Sequence, residues 1–225
     1  MCGRFNVIDS PGLQALLRDL GIDLSLPSRA NVAPTEQVSL VVHGEHGPLL
    51  RQARWWLTPA WAPQVDQKYA MFNARSETLG RSRAFRAPFR HQRGVVPMSS
   101  FIEWRGAGGA KQPWLVTNQQ AALAVAALWD VWDRGEQPLL SCTLVTTAAA
   151  PEFEPWHRRM PVLLTPDESA RWLDNSREIA AADELFRPRL KFPLHLAPLA
   201  RSIGNARNKD PSGLTPVGEV VSLGD

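Results

Sequence analysis

The residues with the most unusual chemical potential stand at the start of the chain, where Met1-Cys2-Gly3-Arg4-Phe5 places a cysteine directly after the initiator methionine. Cysteine is small enough for that methionine to be removed during synthesis, which would leave Cys2 with an α-amine and a thiol on adjacent carbons. These groups titrate near ~8 and ~8.5, so both are partly reactive at neutral pH. Such an aminothiol condenses with an aldehyde to a Schiff base, which the thiol closes into a thiazolidine. The alternative is that Cys2 is an ordinary small residue at a frayed terminus.

Three further polar residues could assist such a reaction. Asn73 offers a hydrogen-bond donor and an acceptor, although an Asx turn with an Arg75–Glu77 surface pair explains the same residues. Glu103 is flanked by large apolar residues, so burial would raise its pKa into the range useful for proton transfer; the alternative is an exposed, inert acid on an edge strand. His157 could shuttle a proton, although a lone histidine is more often structural.

Basic and aromatic side chains follow patterns typical of nucleic-acid binding. Residues 81–93 hold five arginines and no acid, namely Arg81, Arg83, Arg86, Arg90 and Arg93. On one face they would bind a nucleic-acid backbone, whereas a solvated helix face explains most such runs. The segment Trp55–Trp61 could stack on unpaired bases, although core packing accounts for most tryptophans. The loop Ser202–Asn208 could present backbone amides to a phosphate, or it is a plain turn.

The composition indicates one globular domain. The 225 residues are 44% apolar and 21% charged, and a net charge of +3 with a pI of about 9.2 allows a polyanionic partner. No signal peptide is recognisable, and no window approaches the ~20 apolar residues that span a bilayer. The two cysteines have no metal-ligand spacing and should be reduced thiols in a cytosolic protein. Cys142 lies in an apolar run and is predicted to be a core residue.

Capping signals and periodicity predict the elements that position these groups. A first helix is expected between Ser10, as the N-cap before Pro11, and Gly21; further helices are expected at Pro166–Leu173 and near Ile179–Leu185. Strands are expected at Val38–Val42, Leu49–Leu57, Gly94–Met98, Phe101–Arg105, Pro113–Thr117, Ala122–Trp129, Leu139–Thr146 and Pro161–Leu164.

These elements predict a single α+β domain. It spans residues 1–225, with a largely antiparallel sheet and helices at its edges. The glycines within residues 106–109 predict the tip of a hairpin. A loose tail is expected over about the last 15 residues.

Taken together, the segments resemble the SRAP family (SOS response-associated peptidase), whose members form covalent crosslinks to abasic sites in single-stranded DNA. The matching segments run in order along the chain: Met1–Phe5, Asn31–Pro34, Trp55–Trp61, Asn73–Thr78, Phe101–Trp104, His157–Pro161, and Gly204–Asn205 with Asn208. Each is weak alone, and their ordered combination is specific. The chain departs from the family at Trp56, where glycine is usual, and has a strongly basic Arg158 at a variable position.

The resemblance implies a barrel-like core and a role for each reacting group. Cys2 would form the thiazolidine with the ring-opened sugar aldehyde, and Asn73 would orient the reacting group. Glu103 would transfer protons, and His157 would assist ring opening and Schiff-base formation. The residues expected to contact DNA, some from the resemblance and some from the basic and aromatic pattern, are Arg4, Arg75, Arg81, Arg83, Arg86, Trp56, Trp61, Arg159, Asn205 and Asn208.

We therefore expect a sensor that shields abasic sites in single-stranded DNA during the DNA damage response. A weak lyase activity would follow if the Schiff base permits β-elimination. The protein should act as a monomer in the cytoplasm, associated with the nucleoid, without a membrane, metal or organic cofactor. The alternative is an N-terminal-nucleophile cysteine peptidase that removes Met1 autocatalytically. A third possibility is a passive single-strand binding module that is indifferent to base loss.

Overall fold

A computed structural model of the chain describes residues 2–106 and 111–224, so the predicted hairpin tip lies outside the described residues except for Gly106. The strands are β1 (Phe5–Val7), β2 (Arg29–Val32), β3 (Gln37–Gly44), β4 (Gly47–Trp55), β5 (Asn73–Arg75), β6 (Arg93–Met98), β7 (Ser100–Arg105), β8 (Gln112–Thr117), β9 (Leu123–Trp132), β10 (Leu139–Ala148), β11 (Arg159–Pro161), β12 (Leu163–Leu164), β13 (Leu194–Pro198) and β14 (Val221–Leu223). The helices are α1 (Pro11–Asp19), α2 (Arg86–His91) and α3 (Pro166–Leu173).

Five strands close into a barrel. The antiparallel path β4-β3-β6-β9 is completed by β10, which pairs antiparallel with β9 and parallel with β4. Residues 123–128 of β9 are buried on both faces of the strand, because α1, α2 and α3 pack against the same strand that lines the barrel. Cys142 of β10 is fully buried, so its predicted place in the core is confirmed.

A second, antiparallel sheet positions the start of the chain. Its strand order is β14-β13-β8-β7-β1-β2. The strand β1, which follows Cys2 by three residues, pairs with β7 through Phe5 and Phe101. The predicted α+β class, with mostly antiparallel strands and peripheral helices, is therefore confirmed. Among the described residues, no helix has the length and apolar character needed to cross a membrane.

The two capped helices form where the sequence predicts them. Ser10 Oγ accepts a hydrogen bond from Leu13 N at 3.2 Å, and Thr165 and Glu168 form a reciprocal capping box at the start of α3. The helix predicted near Ile179–Leu185 is wrong. The side chain of Asp183 accepts from Leu185 N and starts only a short 3-10 turn, because local side-chain bonds compete with a continuing helix.

Several strands differ from their predicted bounds. The pairing of β3 with β4 continues as far as Gly44 and Gly47, so the turn between the two strands is shorter than the predicted turn at 43–48. The single strand predicted at Pro161–Leu164 is two strands, because β11 pairs with β10 whereas β12 pairs with β9. The C-terminal stretch predicted as a loose tail is anchored by β14, whose Leu223 pairs with Leu194 of β13. The strands that were not predicted are β1, β2, β5, β13 and β14.

Candidate active site

Cys2 is fully buried and held by a residue far along the chain. Asn73 Nδ2 donates to the carbonyl of Cys2 at 2.8 Å, and β5 places Asn73 through its parallel pairing with β10 at Leu144. The alternative of an Asx turn with an Arg75–Glu77 pair is wrong, because Asn73 lies in a strand and Glu77 pairs with Arg159. Asn73 is 8% exposed, and its Oδ1 is buried without a hydrogen-bond partner in the described part of the chain.

Glu103 lies in β7 and is only 2% exposed, so its predicted burial is confirmed and the exposed edge-strand alternative is wrong. This burial raises the pKa of the Glu103 carboxyl, and the charge of His157 partly offsets the effect. Burial, and secondarily the charge of Glu103, raises the pKa of the Cys2 thiol. The thiol therefore keeps its proton at neutral pH, and Glu103 is a nearby group that can exchange a proton there.

His157 stands in the loop between β10 and β11 and is half-buried. Its Nδ1 lies 3.0 Å from Arg159 N and 2.9 Å from Arg159 O. The structure thus brings together a thiol, a carboxyl, an amide and an imidazole from four separate segments. Within the described ranges, no group of three or more His, Cys, Asp or Glu side chains could hold a metal ion. The arrangement suits nucleophilic and acid–base chemistry on a small electrophile.

Three arginines predicted from the resemblance have different surroundings. Arg4 is half-buried, and burial lowers its pKa while the charge of Glu36 acts in the opposite direction. Arg75 is exposed at the end of β5. Arg159 forms a two-bond pair with Glu77 at 2.8 and 3.1 Å and donates to the carbonyl of Thr146 at 2.6 Å. The Arg159 guanidinium is therefore already engaged by protein groups.

The five arginines of residues 81–93 do not share one face. Arg81, Arg83, Arg86 and Arg90 are exposed, whereas Arg93 is fully buried and donates to five backbone carbonyls. The idea that Arg93 belongs to a basic surface is therefore wrong.

The tryptophans of the segment Trp55–Trp61 lie at different depths. The guanidinium of Arg83 lies 4.0 Å from the ring centroid of Trp61, and both residues line an open groove of about 450 Å³. Trp61 is 42% exposed, whereas Trp56 is half-buried against Phe72 and Trp55 is fully buried. Only Trp61 of these three therefore presents an exposed ring.

A buried asparagine that sequence reasoning did not single out organises the loop at residues 203–208. Asn31 has a φ of +52°, and its Nδ2 lies 3.1, 3.0 and 2.9 Å from the carbonyls of Ile203, Asn205 and Asn208. The backbone N–H groups of Asn205, Arg207 and Asn208 all donate to acceptors within the loop, so these three N–H groups are not available to a phosphate. The segment Asn31–Pro34 contained a usable signal, because asparagine tolerates the left-handed region.

A charged network fixes the other side of Asn31. Lys209 Nζ donates to the carbonyl of Asn31 at 2.8 Å and also pairs with Glu36. Glu36 in turn pairs with Arg29 at 2.9 Å and accepts from Ala33 N at 3.1 Å. The loop is thereby tied to β2, the neighbour of the strand that follows Cys2.

Comparisons with known proteins agree on one family. The sequence model of the family described as SOS response associated peptidase (SRAP) matches residues 1–206. The chain is 34% identical over 182 residues to the abasic site processing protein YoqW of Bacillus subtilis, covering 77% of this chain and 80% of the relative. It is 29% identical over 231 residues to the abasic site processing protein YedK of Escherichia coli, covering 96% and 100%.

Solved structures share the fold. A crystal structure of a protein from Bacteroides thetaiotaomicron superposes with a TM-score of 0.81 at 18% identity, covering 96% of this chain and 100% of the other. A second, from Bordetella bronchiseptica, gives a TM-score of 0.71 at 22% identity, covering 88% and 100%.

Proposed function

This chain belongs to the SRAP family, and on that premise we propose that it processes abasic sites in single-stranded DNA through a covalent thiazolidine crosslink to Cys2. The grouping of Cys2 with Asn73, Glu103 and His157 carries the proposal. The relatives named as abasic site processing proteins support the substrate class. The reaction requires that Met1 be removed, because only then does Cys2 carry a free α-amine.

The proposed reaction needs no oxidant or reductant. The Cys2 amine attacks C1′ of the ring-opened sugar aldehyde, and the resulting carbinolamine loses its hydroxyl as water to give an imine. The Cys2 sulfur then adds to the imine carbon, while the thiol proton ends on the nitrogen. One C–N bond and one C–S bond form, and one water is released. If the thiazolidine reopens, the imine permits β-elimination of the 3′ phosphate, which accounts for an associated lyase activity.

Each neighbouring group has a role that follows from its surroundings. Asn73 fixes the Cys2 backbone through its 2.8 Å bond to the carbonyl. Glu103, whose pKa is raised by burial, accepts a proton from the attacking amine and returns one to the leaving hydroxyl. His157 assists the opening of the sugar ring. Holding an amine and a thiol on one residue beside the aldehyde makes the ring closure intramolecular, which favours it strongly.

Exposed arginines supply the DNA-binding surface in this proposal. Arg75, Arg81, Arg83 and Arg86 are accessible to a phosphate backbone, and the exposed Trp61 ring is accessible to a base. The affinity should therefore fall steeply with salt. An abasic sugar has no base to unstack, which lowers the free-energy cost of bringing it to Cys2. We propose that the protein acts in this way as a monomer in the cytoplasm.

The state of the Cys2 thiol disfavours the peptidase alternative. A cysteine peptidase needs a readily formed thiolate, usually next to a positive charge. Burial, and secondarily the charge of Glu103, instead raises the pKa of the Cys2 thiol, while the positive amino terminus of the chain lowers it by a smaller amount. A crosslink through an amine and a neutral thiol makes no such demand.

The testing experiment is incubation with single-stranded DNA that bears one abasic site, followed by denaturing electrophoresis and intact mass measurement. The expected product is a heat-stable adduct with the mass of the protein lacking Met1 plus the DNA less one water. Cys2→Ala should bind the DNA without forming this adduct, and Cys142→Ala, which removes the other buried thiol, should form it normally. The absence of an adduct with protein verified to begin at Cys2 refutes the proposal. Cleavage of a peptide without DNA, sensitive to thiol alkylation, would favour the peptidase.

A further inference from the structure

The loop that carries His157 is joined to the sheet that carries Glu103 by three ring contacts. We call residues 149–158, between β10 and β11, the histidine loop. The ring centroids of Phe153 and Phe101 are 6.2 Å apart, and those of Trp156 and Trp114 are 6.0 Å apart in an edge-to-face arrangement. The guanidinium carbon of Arg105 lies 5.2 Å from the ring centroid of Trp156.

These contacts lie on both sides of Glu103. Because side chains alternate along a strand, Phe101, Glu103 and Arg105 project from the same face of β7. Trp114 is the direct cross-strand partner of Glu103, so its ring belongs to that face as well. The histidine loop therefore packs against residues that immediately surround the carboxyl.

Two hydrogen bonds shape the base of the histidine loop. Arg159 N donates to His157 Nδ1 at 3.0 Å, and Ala149 N donates to the carbonyl of Arg158 at 3.0 Å. The ring contacts join this loop to β7 and β8.

Packing is what holds the ring of Trp156 in place. The indole nitrogens of Trp156 and Trp114 are both buried without a hydrogen-bond partner among the described residues. Phe101 and Phe153 are fully buried, whereas Trp156 is half-buried at the rim beside the exposed Arg105. A substitution at Trp156 should therefore disturb the loop more than the core. Phenylalanine would keep an aromatic contact and lose no hydrogen bond.

We propose that Trp156 is a positioning residue that holds His157 in register with Glu103. The proposal rests on the crosslinking function proposed above, in which both residues act. Trp156 touches neither the sugar nor Cys2 in this scheme; it acts through the placement of the histidine loop. A displacement of a reacting group by about 1 Å can lower a rate about 100-fold, so a lost ring contact is sufficient for a large effect.

The test compares Trp156→Leu with the conservative Trp156→Phe in crosslinking to abasic single-stranded DNA. Trp156→Leu should lower the maximum crosslinking rate by about 10- to 100-fold while the half-saturating DNA concentration stays within about twofold. Trp156→Phe should restore most of the rate. Trp129→Phe is the matched control, because Trp129 is also half-buried but contacts the Arg93 carbonyl in the barrel. Urea unfolding checks that each variant is folded.

Three outcomes overturn the proposal. They are an unchanged maximum crosslinking rate in folded Trp156→Leu, a change in the half-saturating DNA concentration alone, or a Trp156→Phe variant that does not restore the rate. If Trp156→Leu does not fold, the exposed Arg105→Met replaces it, with an expected rate loss of about two- to fivefold from the cation–π contact. An unchanged rate in Arg105→Met then overturns the proposal. Failure of the wild-type protein to crosslink at all refutes the proposed function instead.

Discussion

The buried guanidinium of Arg93 should stabilise the fold more than any exposed arginine near it. Its Nε donates to the carbonyl of Trp172 at 2.8 Å, and its two terminal nitrogens donate to the carbonyls of Phe89, Arg90, Asp174 and Arg177 at 2.5 to 3.1 Å. These carbonyls lie in the last turns of α2 and α3 and in the turn after α3. One cation therefore neutralises the negative ends of two helices.

Replacing Arg93 with methionine removes all five bonds. A hydrogen bond to a charged group contributes about 1.5–3 kcal/mol, but the five values do not add, because burying the guanidinium costs desolvation free energy. A buried acceptor left without its donor costs about 1–3 kcal/mol, and the loop carbonyls can partly rebond to water, so we expect Arg93→Met to lower the free energy of unfolding by about 3–5 kcal/mol in total. This is a large fraction of the roughly 5–15 kcal/mol of a typical domain.

Urea unfolding followed by tryptophan fluorescence measures the effect. Arg90→Met is the matched control, because Arg90 is exposed and contributes its backbone carbonyl rather than its side chain; we expect a change within about 0.5 kcal/mol. Arg93→Lys should recover only part of the loss, since an ammonium has three donors and no planar fork. A loss below about 1 kcal/mol in Arg93→Met would refute the reasoning that these carbonyls depend on the guanidinium.

Three further predictions concern the active site, the DNA surface and the loop at residues 203–208. Glu103→Gln should abolish crosslinking but stabilise the protein at neutral pH by about 0.5–2 kcal/mol. A carboxyl whose pKa is raised in the folded state lowers stability as the pH rises from its unfolded to its folded pKa. Below about pH 4, urea unfolding should therefore find Glu103→Gln no more stable than the wild-type protein. Arg86→Ala should reduce the slope of log affinity against log salt by about 0.7 in a DNA-binding titration, whereas Arg18→Ala on α1 should not; an unchanged slope would remove Arg86 from the DNA surface. Asn31→Ala should be less stable in thermal unfolding than Asn31→Gly by about 1 kcal/mol, because both lose the contacts to the loop and only alanine is strained at a φ of +52°; equal stabilities would contradict this account.

The parts of the fold that could be predicted depend on local signals. The caps at Ser10 and Thr165 are short-range, and both helices begin where the caps stand. The strands β1, β5 and β14 have three residues each and form only because a distant strand pairs with them, which no local pattern reports.

The candidate site was predictable in its residue types but not in its contacts. The bond from Asn73 to Cys2 crosses 71 residues, and it exists because β10 holds β5 in place. Arg86 and Arg93 look alike in the sequence, since both are arginines in an acid-free run. Only the packing of α2 and α3 makes one of them a surface residue and the other the centre of a buried network.

The complete burial of Cys2 has a consequence for how the protein is made. A processing aminopeptidase can reach the bond between Met1 and Cys2 while the nascent chain is open, whereas Cys2 is fully buried in the folded protein. The residues that enclose it emerge from the ribosome much later, since Asn73 and Glu103 must both be synthesised and β10 must pair before the site closes. On the proposed mechanism, the reactive amine is thus made while the nascent chain is still open. A chain that keeps Met1 has no Cys2 amine, so on this mechanism it cannot form the imine that precedes the crosslink.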